Sequence, residues 1–284
     1  MNRHGDNAQR WVFFFVLLAV LASLAPITAP AAAANDKVVR LAVVNTPAYS
    51  GLMSYLLKDF QANTGITVEV YSGKDVYDVA QAGKADIVIS HFGKAEVEQF
   101  VLDGYGRWPV IVFSNQSVVI GPKSDPANIR ELSSATEAFR RIAKAKSPFI
   151  VNQIPGVFYL TEILGKAAGW PERAPWVHDE SVAKARAVRL AEQRQAYVIW
   201  GALPFLRYKK KKSSTMEILV SADPILQRIM ASVIVNPNKI KGVNAKGAKA
   251  LQEFLLAPET QAKIAAYHTP GSNRQLWWSA GRDN

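Results

Sequence analysis

The chain contains no cysteine. This absence excludes disulfide bonds, thiol catalysis and thiolate metal sites, and it also excludes the lipidated cysteine that tethers many exported proteins. Several enzyme signatures are missing too: there is no Gly-Lys-Ser/Thr phosphate loop, no Gly-x-Ser-x-Gly elbow and no His-Glu-x-x-His. A triad assembled from distant residues would escape such a search, but no positive sign supports one. We therefore predict that the protein is not an enzyme and has no catalytic residues, no metal site and no cofactor.

Long apolar runs are also scarce, and the one that stands out lies near the N-terminus. A basic start precedes the apolar segment 11–22, and small residues fill 30–34. This pattern predicts a cleavable secretory signal over residues 1–34, with an uncleaved anchor as the alternative. Residues 35–284 contain no second run long enough to cross a bilayer. The predicted location of the mature chain is the periplasm.

Acidic residues are outnumbered, and the formal net charge is +11. The basic residues are spread along the chain, and the densest group is the four lysines 209–212. We expect these lysines to lie in a loop before Ser213. No aromatic residues are interleaved with them, so we interpret the run as solvated surface rather than a nucleic-acid patch. No nucleic-acid partner is predicted.

The first part of the chain alternates between strand-like and helix-like segments. The strands are predicted at 38–44, 66–71 and 85–90, and the helices at 51–63, 75–82 and 95–103. Such alternation favours a parallel sheet whose ligand edge lies at the carboxyl ends of the strands. The polar loop 45–50 joins the first strand to a helix N-terminus, which is a natural place to hold an anion or a polar ligand.

The remainder repeats this α/β pattern between two long strand segments. One comprises 110–113 and 117–120, interrupted by the polar residues 114–116, and the other is 230–235. We predict two α/β lobes joined by these crossover strands, with a cleft between them. The predicted division is lobe 1 at 35–112, lobe 2 with the crossover strands at 113–237, and a return to lobe 1 at 238–284.

Short segments along the whole mature chain carry a family resemblance. They include Ser50-Gly51-Leu52-Met53, Gly83-Lys84-Ala85-Asp86, Gly121-Pro122-Lys123-Ser124-Asp125, Ala168-Gly169-Trp170 and Val235-Asn236-Pro237. Together they resemble the periplasmic tungstate-binding proteins of ABC importers. The resemblance implies an α/β, two-lobe, type II periplasmic binding protein, in which each lobe is a mixed sheet flanked by helices and two crossover strands form the hinge.

The ligand motifs depart from that family. Its first loop is typically a threonine triplet followed by serine, where this chain has Val43-Val44-Asn45-Thr46. Its Ser-Arg-Gly-Asp and Thr-Leu-Thr-Asp-Arg segments are replaced by 151–154 and 198–202, so these positions lack the arginines and most hydroxyls. A dehydrated dianion requires several donors. We therefore predict altered selectivity, for a small polar or aromatic-stacking ligand rather than a bare oxyanion.

The predicted ligand-binding residues come from the loops that follow the strands. They are Asn45, Thr46, Tyr49, Ser50, Ser90, His91, Asn152, Gln153, Phe158, Tyr159 and Trp200. Some have simpler interpretations: Trp200 and Phe158 as packing residues, His91 as a structural histidine, and Tyr49 as a helix staple. Trp277 and Trp278 are expected to form an apolar cap on the first lobe, with a partner-docking surface as the alternative.

The function that the resemblance implies is that of a periplasmic solute-binding protein. Such a protein closes over a small-molecule or anion ligand and delivers it to an inner-membrane ABC permease. We expect a monomer that contacts the membrane only through the permease. Two alternatives stay open: a sensor or interaction module on the same scaffold, and a tungstate or molybdate binder that uses mainly backbone donors.

Overall fold

The computed structural model describes residues 36–272 and 274–280, so the predicted signal segment 1–34 lies outside the described residues. Within those two ranges, no helix is both long and apolar enough to cross a membrane. The strands are β1 (Val38–Val44), β2 (Thr67–Gly73), β3 (Ile87–His91), β4 (Val110–Gly121), β5 (Phe149–Ile150), β6 (Val177–His178), β7 (Tyr197–Gly201), β8 (Glu217–Val220) and β9 (Gln227–Ile234). The helices are α1 (Asn45–Tyr49), α2 (Leu52–Thr64), α3 (Val76–Gln81), α4 (Ala95–Leu102), α5 (Ala135–Lys144), α6 (Pro155–Ala167), α7 (Ala185–Gln193), α8 (Ala202–Lys212), α9 (Ala245–Leu256) and α10 (Pro258–Ala266).

The strands form one mixed sheet in the order β2-β1-β3-β9-β4-β7-β5-β6, and β8 also pairs with β4. Two groups within it are parallel: β1 with β2 and β3, as predicted for the first part of the chain, and β5 with β6 and β7. The sheet as a whole is mixed because β9 runs antiparallel to β3, and β4 runs antiparallel to β9 and β7. The two strands predicted to cross between lobes are therefore the ones that reverse direction.

Strand β4 is continuous where the sequence predicted an interruption. It spans twelve residues, and its polar segment Ser114 to Ser117 is buried within it. Its first part, through Gln116, pairs with β9, while its second part, from Ser117 onward, pairs with β7. The polar residues were expected to break the strand, but the backbone bonds made on both sides of them keep it extended. Both groups of strands thus share β4.

Two predicted loops are helical. Residues 45–50 were expected to be a loop, but Asn45 to Tyr49 form the short helix α1 directly after β1. The lysines 209–212 were also expected in a loop, yet they form the last turn of α8, where cations interact favourably with the helix C-terminus. Lys209 Nζ donates a hydrogen bond to Met216 O at 2.7 Å. Helix α7 begins at Ala185, later than the predicted start at 181.

The C-terminal part of the chain packs onto the first group of strands. Trp277 is fully buried in an apolar core that also contains Leu41 and Phe60, and its ring meets Phe113 edge-on with the centroids 5.4 Å apart. Trp278 is also buried, and its backbone pairs with Ser114. Trp277 and Trp278 are thus apolar core residues, as predicted, and their assignment to a first lobe stays a prediction.

A buried carboxylate fastens the same region. Asp86 is 1% exposed, and it accepts hydrogen bonds from the backbone N–H of Arg40 at 2.8 Å and of Asn244 at 2.9 Å. Its Oδ1 also lies 2.5 Å from Arg40 Nη2. One charged acceptor therefore joins β1 to the segment that precedes α9.

Candidate functional site

The candidate site lies on one face of the sheet where the crossover strands meet. Asn115 of β4 stands opposite Arg228 of β9, and His91 of β3 stands opposite Met230 of β9. Opposite residues of antiparallel strands point to the same face, and so do residues two positions apart along one strand. Asn115, Arg228 and His91 therefore project from the same face.

Arg228 is the central group of this face. Its side chain is half-buried, and no ion pair or hydrogen bond to it is found among the described residues. Burial lowers the pKa of its guanidinium. Its Nη2 lies 3.5 Å from the position that a Cβ on Gly156 would occupy, so the guanidinium reaches the first turn of α6. An arginine removed from water normally has an acidic partner, and this one has none in the part of the chain described.

Two lysines add positive charge beside Arg228. Lys94 is half-buried and directly precedes α4. Burial lowers the pKa of Lys94 most strongly, Glu96 raises it, and the positive charges of Arg228 and Lys184 lower it further. Lys184 is exposed and directly precedes α7. Arg228 and Lys184 are thus both close enough to act on Lys94, with Glu96 as the acidic group nearby.

His91 is predominantly neutral at pH 7 in this environment. Its pKa lies well below the ordinary value, first because of burial and then because of the positive charges of Arg228 and Lys94. The Asn115 amide favours the protonated ring and so acts in the opposite sense. A neutral imidazole presents one N–H donor and one nitrogen acceptor, so His91 can contact a ligand without adding full charge.

Buried hydrogen-bond acceptors share the site with the cations. Asn115 Oδ1 and Asn45 Oδ1 are both buried, and neither has a hydrogen-bond partner among the described residues. Asn45 directly follows β1 and is the first residue of α1. Ser117 lies two residues beyond Asn115 on the same face, and its buried hydroxyl is likewise without a partner in that part of the chain.

The first turn of α6 contributes backbone donors. Pro155 begins this 13-residue helix and has no N–H, while the N–H groups of Val157 and Phe158 both donate to Ile154 O at 2.8 Å. For Gly156 N–H, the described chain offers no acceptor. A helix N-terminus also carries partial positive charge. The turn and the Arg228 guanidinium beside it thus form an environment that favours an anion.

Three of the predicted site residues are engaged in local hydrogen bonds. Ser50 Oγ donates to Pro47 O at 2.9 Å and accepts from Leu52 N at 3.2 Å, which fixes the turn between α1 and α2. Ser90 Oγ is 2.7 Å from the hydroxyl of Tyr77. Burial raises the pKa of that hydroxyl to about 12. Thr46 is half-buried, and its carbonyl accepts from Ser50 N.

The predicted amide pair supports the loop before α7. Asn152 is fully buried; its Nδ2 donates to Ile199 O at 3.0 Å and its Oδ1 accepts from Lys184 N at 2.9 Å. Lys184 adopts φ 57° and ψ −134°, a conformation that favours glycine. Gln153 Nε2 donates to Asp179 Oδ2 at 2.6 Å. Asn152 therefore holds Lys184 in a strained backbone geometry beside the other cations.

The predicted aromatic residues are dispersed. Trp200 is buried in the core and meets Tyr208 edge-on at 6.3 Å between the ring centroids. Tyr159 is 64% exposed, and Tyr49 is 60% exposed with the Arg207 guanidinium over its ring. Phe158 is half-buried and belongs to neither apolar core of the described chain. The structure thus brings His91 together with the cations, whereas ligand contact by the other predicted residues stays a prediction.

The sequence interpretation missed Arg228, Lys94 and Asn115. The strand was predicted to begin at Met230, whereas β9 begins at Gln227 and includes Arg228. Asn115 was assigned to a break in β4. The available signal was a charged residue between the apolar Leu226 and Ile229, which is unusual for a buried strand.

A separate cavity of about 350 Å³ lies against α2 and β2. Its lining is mixed, and Lys58 is the one charged residue in it. The charges, free donors and free acceptors described above are all at the crossover strands, so we place the site there and not in this cavity. No cluster of three or more histidine, aspartate or glutamate residues suited to a metal ion occurs in the ranges that the structure describes.

Sequence comparison decides the family. The profile described as bacterial extracellular solute-binding protein matches residues 27–268. The chain belongs to this family of solute-binding proteins. Among its relatives, the tungstate-binding protein TupA of Peptoclostridium acidaminophilum is 28% identical over 232 residues, which is 80% of each chain. A putative ABC transporter anion-binding protein of Haloferax volcanii is 29% identical over 230 residues, covering 80% of this chain and 64% of the relative.

Structural comparison gives the fold of this solute-binding protein. It superposes on the tungstate-binding protein TupA of Desulfovibrio alaskensis G20 with a TM-score of 0.73 and 22% identity, covering 86% of this chain and 99% of the other. The predicted type II periplasmic binding fold is confirmed, as is the predicted resemblance to tungstate-binding proteins.

Proposed function

We propose that this solute-binding protein serves an ABC-type importer and binds an anion between its two lobes at the Arg228 face. The observation that carries the proposal is the half-buried guanidinium of Arg228, which has no acidic partner in the described chain and reaches the first turn of α6. Lys94 stands beside it. A bound anion would neutralise these charges and accept from Gly156 N–H.

The relatives support an anionic ligand. One is named a tungstate-binding protein and another a putative ABC transporter anion-binding protein. By this analogy the protein is exported by its signal segment, binds its ligand in the periplasm and delivers it to an inner-membrane permease. A monomeric state, and contact with the membrane only through the permease, remain predictions that light scattering and vesicle sedimentation test.

We further propose that selectivity differs from that of a bare-oxyanion binder. The hydroxyls of Ser50 and Ser90 are engaged in local bonds, and the family arginines are absent from their usual loops. Arg228 supplies the charge from a hinge strand instead. Phe158, half-buried two residues after Gly156, is placed to pack against an organic part of the ligand.

A tungstate or molybdate binder that relies on backbone donors is the second candidate. The free N–H of Gly156 at the N-terminus of α6 favours it. Both candidates require Arg228, so they differ in the ligand and not in the place where it binds. Calorimetry with tungstate and molybdate separates them, because tight binding of either ion would exclude the altered selectivity.

Native mass spectrometry tests anion binding directly. The protein purified without added ligand is expected to carry an additional anionic mass, which Arg228→Gln removes. Arg107→Gln is the matched control, because Arg107 is exposed and its side chain makes no ion pair in the described chain. If neither the co-purified mass nor calorimetry with a broad anion panel shows binding that depends on Arg228, the proposed function is wrong, and a sensor or interaction module becomes the better interpretation.

A further inference from the structure

We propose that the ligand of this site carries hydrogen-bond donors beside its negative charge, as a hydroxycarboxylate or hydrogenphosphate does. A fully deprotonated oxyanion would then be the poorer ligand. This inference rests on the proposed function, because it concerns the same anion site at the Arg228 face. It goes further by describing the part of the ligand that does not contact the cations.

The acceptors described above carry the argument. Asn115 Oδ1 is buried beside the His91 ring, but no hydrogen bond of normal geometry reaches it in the described chain, although its residue stands directly opposite Arg228. Asn45 Oδ1, in the first residue of α1, is also buried and without a partner in that part of the chain. Buried carbonyl oxygens are nearly always satisfied in folded proteins. An unsatisfied one directly opposite an unpaired cation indicates a ligand that donates to it.

A fully deprotonated tetrahedral oxyanion cannot satisfy these oxygens. It offers only acceptors, so an amide oxygen beside it would remain unbonded and would repel the negative charge. A hydroxyl or protonated oxygen on the ligand reverses this interaction, because it donates to Asn115 Oδ1 while the charged part faces Arg228. The site would thus offer donors to the charged oxygens of the ligand and an acceptor to its hydroxyl.

The groups of the site include both the donors and the acceptors that such a ligand needs. The Arg228 guanidinium, Lys94 and Gly156 N–H are all donors, and they suit the charged oxygens of the ligand. Neutral His91 lies beside Asn115 and can either accept from a ligand hydroxyl or donate to it. Ser117 has the same dual capacity.

Matched ligand pairs test the inference with the unaltered protein. Calorimetry compares lactate with propionate, which lacks the hydroxyl, and hydrogenphosphate with sulfate, which carries no proton at neutral pH. We expect the donor-bearing member of at least one pair to bind about tenfold tighter or more, the cost of leaving one buried polar group unsatisfied. The pair that shows the difference tells whether the source is an organic or an inorganic anion.

Variants assign the effect to residues. In the pair that shows a difference, Asn115→Leu is expected to make the affinities of the two ligands nearly equal, without weakening binding of the ligand that lacks the donor. Arg228→Gln is expected to weaken binding of both ligands. Equal affinities within both pairs, or tighter binding of tungstate than of any donor-bearing anion, would overturn the inference while leaving anion binding intact. Insensitivity of all these ligands to Arg228→Gln would instead refute the proposed function.

Discussion

The guanidinium of Arg207 lies over the ring of Tyr49, with its Cζ 5.0 Å from the ring centroid. Tyr49 belongs to α1, which follows β1, and Arg207 belongs to α8, which follows β7. The contact therefore links a helix of the first group of strands to a helix of the second group. Both residues are exposed, so the link lies at the surface.

A double-mutant cycle measures the strength of this link. We expect Tyr49→Leu and Arg207→Gln to show a coupling free energy of about 0.5–1 kcal/mol, as for exposed cation–π pairs. Urea unfolding of the wild type, both single variants and the double variant provides the measurement. Strictly additive single-variant effects would show that the contact contributes nothing.

Removal of the Asp86 charge should destabilise the fold substantially. Asp86 is buried and accepts from Arg40 and Asn244, so Asp86→Asn leaves donors unpaired and is expected to lower the free energy of unfolding by about 2–4 kcal/mol. Asp59→Asn is the control, because Asp59 pairs with Lys263 at the surface, and its loss should cost about 1 kcal/mol or less. Equal costs in urea unfolding would contradict the assigned role.

Trp277 and Trp108 lie in different environments, so their replacement should have very different effects on stability. Trp277 is fully buried against Phe113, so Trp277→Ala should cost about 3–5 kcal/mol of unfolding free energy. Trp108 is 78% exposed, and Trp108→Ala should change the stability by about 0.5 kcal/mol or less. Thermal and denaturant unfolding of both variants checks the packing of the C-terminal segment.

Stability should depend on pH through His91. Its pKa in the folded protein is lowered by burial and by Arg228 and Lys94. Below the unfolded pKa of about 6.5, the unfolded chain binds a proton that the folded chain does not, so stability falls as the pH falls and is unaffected by this residue above that pH. The slope attributable to His91 is at most about 1.4 kcal/mol per pH unit.

The measurement compares urea unfolding at pH 5.0, 6.0 and 7.5. His91→Gln should have a shallower pH dependence than the wild type between pH 5.0 and 6.5, because the group that resists protonation is absent. Trp108→Ala, a change at the surface that removes no titratable group, serves as the control and should retain the wild-type slope. Identical slopes for the wild type and His91→Gln would show that the environment of His91 does not affect its protonation.

Most of the fold could be predicted from periodicity. The apolar run that forms β1 and the 3.6-residue period of α2 are local signals, and they placed both elements within a residue or two of their observed bounds. Helix α8 could not be predicted in this way, because four consecutive lysines look like a loop unless the buried residues Leu203 and Phe205 are known to anchor the helix start.

The site was harder to predict because it depends on register between distant segments. Asn45 and His91 follow strands whose ends were expected at the ligand edge, so position in the chain was informative. Arg228 and Asn115 are 113 positions apart in sequence and meet only through the antiparallel pairing of β4 with β9. Family motifs drew attention to the loops at 151–154 and 198–202, whereas the charge comes from a strand that no motif marks.

The unbroken course of β4 bears on the predicted motion of the two predicted lobes. A loop hinge rotates about one or two flexible residues, but a hydrogen-bonded ribbon must bend elastically along several residues at once. Asn115 and Arg228 form a rung of that ribbon. In the proposed function a ligand that neutralises Arg228 would act on this ribbon itself, so we expect the energy of binding and the curvature of the ribbon to be coupled.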